Sequence, residues 1–140
     1  MNVAVIPAAW SPYLQSVLRI VAGLLLLEHG TGKILNFPAL PAALEQMMGR
    51  GLFTFTGVVE LVGGALVLVG LFTRPAAFIL SGFMAAAYFM AHFPHGFFPV
   101  LNQGELAILY CFVFLYFAAA GPGPWALDGF GRRPALTPAE

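Results

Sequence analysis

The chain has 140 residues, 60% hydrophobic and only 9% charged, with no net charge and fourteen phenylalanines. A soluble domain carries about 25% charged residues, and one this small could not hide so much apolar surface, so an integral membrane protein is expected. Zero net charge argues against nucleic acid or a strongly acidic partner, and the single cysteine, Cys111, excludes an internal disulfide, a CxxC pair and a multi-thiolate metal site.

The opening MNVAVIPAAWSPY lacks the basic region of a secretory signal, so no cleavage is expected. Four apolar segments follow, at 13–35, 52–73, 75–93 and 104–121. Each is of the length needed to cross a hydrocarbon core, roughly 20 residues at 1.5 Å rise. Between the first two, Pro41 and Gly49 bracket Leu44, Met47 and Met48, which predicts a short interfacial helix. Only Thr73, Arg74 and Pro75 link the second and third segments, which demands an antiparallel hairpin with the proline opening a helix. The third connection, PHGFFPVLNQG, is punctuated by Pro and Gly and sets Phe97 and Phe98 at headgroup level. The tail, 122–140, is polar enough to leave the membrane, with Trp125 as an interface anchor. The expected fold class is therefore all-α: an integral membrane four-helix transmembrane bundle, one domain over 1–140 without a convincing internal repeat.

An even number of spans puts both termini and the Arg74 turn on one face. Arg74, Arg132 and Arg133, with Arg19 nearby, outnumber Lys33 and Arg50 opposite, which favours both termini in the cytoplasm of a bacterial inner membrane.

Glu60 stands in the otherwise apolar run LFTFTGVVELVGGALVLVGLFT, and a carboxylate at that depth is rarely kept without a partner or a task. Counting from the helix ends puts His29 roughly 9 Å and Glu60 roughly 12 Å below the outer ends of their spans. Lys33, His92 and Glu105 belong to the same outer half, so five ionisable side chains are expected to converge there. The faces agree. Arg19, Gly23, Leu26, Gly30 and Lys33 form one helical stripe, Gly57, Glu60 and Gly64 a second, and Ser81, Ala85, Tyr88 and His92 a third. On the fourth helix Glu105, Phe112 and Tyr116 align, with Asn102 one turn earlier. Glu28 falls opposite Arg19, which leaves it facing another subunit, protonated, or on a helix broken near Gly30 and Gly32.

Plainer readings stand beside these. Glu60 as a register-fixing partner of Lys33 or Arg19, His29 and His92 as hydrogen-bonded histidines, Arg74 as a topology anchor and Cys111 as inert core are all sound structural roles. Tyr88 and Tyr110 suit packing as well as donation to a ligand. No HxxxH or ExxH ligand pair occurs, so no metal is expected.

Three stretches, LRIVAGLLLLEHGTGK (18–33), ELVGGALVLVGLFTR (60–74) and HFPHGFFPVLNQGELAILY (92–110), together with GPGPWALD (121–128), resemble the DoxX family of small four-helix membrane proteins. The resemblance covers roughly residues 14–128 and marks Arg19, His29, Gly30, Lys33, Glu60, Gly63, Gly64, Arg74, Asn102 and Glu105 as recurring positions. Glu28 departs from the apolar or small residue expected there. The resemblance implies a link to membrane oxidoreductase systems, among them a thiosulfate:quinone oxidoreductase and a quinol-oxidase complex, and to redox-defence assemblies. With no haem motif, dinucleotide fold or thiol pair, the chain has no expected cofactor of its own, and any redox role must borrow a quinone or a membrane or peripheral redox partner. On this reading His29 and Lys33 donate to a quinone oxygen, and Glu60, Glu105 and His92 carry or orient protons. Asn102 completes the site, while Arg19 and Arg74 are structural. Two alternatives remain open: a non-catalytic scaffold or assembly factor, and a small proton-coupled transporter working as a homo-oligomer.

Overall fold

The computed structural model describes residues 5–130, and all regular structure among them is helical. A 3-10 turn at Ala8–Trp10 leads into α1, Ser11–Leu35, where Pro12 occupies the first turn and forfeits no hydrogen bond. α2 is Ala42–Met48, held between Pro41 and Gly49 as the Pro/Gly punctuation predicts, and α3 is Arg50–Val69. α4, Thr73–Ala87, is prolonged by a π turn at Tyr88–His92 and a 3-10 turn at Phe93–His95. α5 is a single turn, Pro99–Asn102, and α6 runs Glu105–Ala120.

Three helical stretches, Ala8–Leu35, Arg50–Val69 and Thr73–His95, are long and apolar enough to cross a membrane. α6 is equally apolar but shorter, 16 residues or about 24 Å. Outward-facing side chains such as Phe78, Ile79, Leu109 and Phe112 are exposed and apolar, as lipid contact requires. The architecture is a membrane helical bundle.

The bundle is built from two helix pairs, α1 with α3 and α4 with α6, which touch one another more lightly than their members do. Glycines set the first pair. A Cβ on Gly23 would lie 2.6 Å from the Leu68 nitrogen, and one on Gly64 would lie 2.6 Å from the Leu27 nitrogen. The two backbones are in contact, the arrangement by which membrane helices gain dispersion energy without a hydrophobic drive. Aliphatic and aromatic side chains set the second pair, with Ala77, Leu80 and Met84 buried with Tyr110, Phe114 and Phe117.

Three expectations are corrected. The link between α3 and α4 is Gly70–Phe72, not Thr73–Pro75, because the Asp128 carboxylate accepts from Phe72 N and Thr73 N and starts α4 two residues early. Pro75 therefore sits in the first turn. On α6 the inward face is Ala107, Tyr110, Phe114 and Phe117, while Glu105, Phe112 and Tyr116 face outward. That helix is apolar all round, so its sequence carries no amphipathic stripe from which a face could be read. The tail does not simply depart: residues 122–130 fold back across the ends of α1 and α3. Arg132 and Arg133, used to orient the chain, lie outside the described residues.

Candidate functional site

Lys33 and Glu60 meet across the α1–α3 interface. The ammonium lies 2.8 Å from Glu60 Oε1, and both side chains are less than a tenth exposed, at 7% and 8%. Lys33 also donates to Thr56 Oγ1 at 3.1 Å and lies 6.0 Å from the centroid of the Phe53 ring. The pair is possible because Gly57 lets the lysine stem pass: a Cβ there would sit 2.8 Å from Lys33 Cβ. Glu60 and Thr56 are four residues apart on α3 and share its inner face.

The carboxylate is only half satisfied. Glu60 Oε2 is buried without a hydrogen-bond partner, and so is the Tyr110 hydroxyl on α6. The third such atom among the described residues, Thr73 Oγ1, belongs to the opposite end of the bundle. Buried polar atoms are almost always paired, so each of these orphans is notable.

The other expected members do not join Lys33 and Glu60. His29 is exposed, and its Nδ1–H donates to its own helix at Leu25 O, 2.8 Å away. His92 Nδ1–H donates to Asn102 O at 3.1 Å, and the ring stacks on Tyr88 at 6.4 Å between centroids. Asn102 is buried, donating to Gly96 O at 2.7 Å and accepting from Gly104 N at 2.8 Å. It shapes the loop before α6. Glu105 is exposed in the first turn of α6, beside an open apolar groove lined by Pro99, Ile108, Leu109 and Phe112. There it favours the positive end of the helix dipole. Among the described residues no group of three or more His, Cys, Asp or Glu could hold a metal ion.

The basic residues are structural. Arg19 is wholly buried, its guanidinium donating to Val67 O at 2.6 Å, Leu68 O at 2.5 Å, Pro122 O at 2.8 Å and Trp125 O. It caps the end of α3 and clasps the returning tail in one fork. Arg74 Nη1 donates to Ala118 O at 3.2 Å and Ala119 O at 2.5 Å, capping α6. Asp128 escaped notice in the sequence because an acid beyond the last apolar run reads as a solvated tail. Thr56 was missed as well, although its i, i+4 relation to Glu60 could have found it.

Fold and site together define a small multi-pass helical membrane protein with a buried lysine–glutamate pair between its most closely packed helices. The chain belongs to the DoxX family, whose profile matches residues 14–93. It is 46% identical over 122 residues to an uncharacterized protein of Haemophilus influenzae, covering 85% of this chain and 91% of that one. It is 33% identical over 127 residues to an uncharacterized membrane protein of Mycobacterium tuberculosis, covering 79% and 77% respectively. No solved structure matches.

Proposed function

We propose that the protein is an inner-membrane subunit or accessory protein of a quinone-linked redox system, with both termini in the cytoplasm. The observation that supports this is the half-satisfied ion pair: Lys33 holds Glu60 Oε1, while Oε2 and the Tyr110 hydroxyl remain buried and unpartnered. Such atoms are costly in hydrocarbon and are the groups a ligand headgroup would complete. The proposed site is therefore narrower than the sequence implies. It comprises Lys33, Glu60 and Tyr110, with His29, His92, Asn102 and Glu105 outside it.

The test is mass spectrometry of lipids retained by protein purified in mild detergent, compared with Glu60→Gln. An isoprenoid quinone enriched in the wild type and lost from the folded variant supports the reading. Enrichment in neither sample rejects it and leaves a scaffold. That second reading is favoured by the engagement of Arg19, Arg74, Asn102 and Asp128 with backbone groups.

A further inference from the structure

Glu28 takes no part in the contacts that hold the bundle together. α1 is an unbroken helix, and Glu28 stands seven residues before its end at Leu35, about 10 Å along the axis. Its carboxylate is exposed and has no hydrogen-bond or ion-pair partner among the described residues. His29 follows it and is exposed too, with Nδ1–H tied to Leu25 O and Nε2 left for a partner outside the chain. Both groups are costly against hydrocarbon at that depth. They are also complementary, since a carboxylate accepts from an imidazolium and a neutral Nε2 accepts from a carboxyl. Adjacent residues on one helix do not face each other, so the complement has to come from a second helix.

The same face carries an apolar seam. Leu14, Leu18, Val21 and Leu25 are exposed by 44% to 46%, and they lead to Glu28 in alternating steps of four and three residues. That is the heptad spacing by which parallel helices interlock. The next position of the series, Gly32, is closed by Leu40, whose Cγ would lie 2.9 Å from a Cβ there. Glu28 therefore ends the seam.

We infer that this face of α1 is a homodimer interface, on which Glu28 of each copy bonds to His29 of the partner subunit. Two copies inserted the same way are related by a two-fold axis along the membrane normal, so identical residues lie at identical depth. In a parallel pair with this register, Glu28 is a core position bordered by the partner subunit's Glu28 and the partner subunit's His29. Symmetry makes the contact twice. The aliphatic positions supply packing, and the two polar contacts fix the register and take four polar groups out of the lipid.

The test is the dimerisation equilibrium of the full chain in liposomes, read by Förster transfer between fluorescently tagged copies as added lipid dilutes them. Wild type should dimerise. Glu28→His and His29→Glu each put like groups on both sides of the contact, and each should weaken the homodimer by about tenfold or more. Mixed together, the two variants should pair more tightly than either does with itself, because acid again meets imidazole. A side chain that only shapes its own helix would give no such cross-pairing. Val21→Cys in a Cys111→Ser background should form a disulfide-linked dimer under mild oxidation, whereas Val62→Cys, exposed on α3, should not. That readout stands even if a charge variant fails to fold. A monomer at every dilution overturns the inference, as does a dimer that neither charge variant weakens. Mixed variants that pair no better than each alone, or cross-linking through Val62→Cys in preference to Val21→Cys, overturn it as well.

Discussion

Arg19 and Asp128 hold the C-terminal segment from two sides. The guanidinium takes the carbonyls of Pro122 and Trp125, while the carboxylate receives Phe72 N at 2.7 Å and Thr73 N at 2.8 Å. Asp128 N in turn donates to Gly70 O at 2.8 Å, so the segment ties α1, the end of α3 and the start of α4 together. Arg19→Lys keeps the charge but loses the planar fork that reaches four carbonyls. We expect it to cost about 3 kcal/mol or more, because buried carbonyls and a buried cation are left poorly paired. Unfolding in mixed micelles measures the loss. Hydrogen exchange across 122–130 should quicken in parallel, and an unchanged rate would show that the clasp does not depend on Arg19.

Asp128 acts on α4 as an N-terminal cap supplied from another part of the chain. Asp128→Ala should cost about 1 kcal/mol, the usual worth of such a cap, and Asp128→Asn should recover much of it through its remaining oxygen. The site-resolved reading is amide exchange at Phe72 and Thr73. Those two amides should lose protection first.

The Lys33–Glu60 pair invites a double-mutant cycle. Lys33→Met alone strands a carboxylate in an apolar interface and should destabilise the bundle by about 3–5 kcal/mol. Adding Glu60→Met should restore most of that stability, since well-packed apolar residues often replace a buried pair at little cost. A double variant as unstable as the single one would show that the pair does more than neutralise itself.

Close approach of α1 and α3 makes a separate prediction. Gly64→Val puts a branched side chain where even a Cβ meets the Leu27 backbone, and the folded yield should collapse. Gly82 on α4 has open space around it, so Gly82→Ala should instead stabilise that helix by up to about 1 kcal/mol. Retained fluorescence on size exclusion of tagged variants distinguishes the two.

The inward stripe of α1 was legible in the sequence because it mixes glycine, arginine and lysine with leucine at helical spacing. Arg19, Gly23, Leu26 and Gly30 are all buried, and the Lys33 side chain is nearly so. α6 offered no such contrast, and alignment of its few polar groups selected the wrong face. Tyr110, on the true inner face, looked like any packing tyrosine. His29, one turn before Lys33, was expected beside it, but it is exposed and its Nδ1–H donates to Leu25 O on its own helix.

Composition and segment length determined by themselves that this chain is a helical membrane bundle, because uninterrupted apolar runs of about 20 residues suit spanning helices, whereas barrel strands are shorter and alternate. The glycine spacing and the lone Glu60 likewise announced a close helix pair with a buried partner. Which charges meet was decided only by tertiary structure. Depth along a span follows from counting residues, but azimuth around an apolar helix and the path of a returning tail depend on packing against neighbours. Lys33 therefore reaches Glu60 while His92 binds Asn102, and Arg19 and Asp128 tie residues 122–128 back onto the helices.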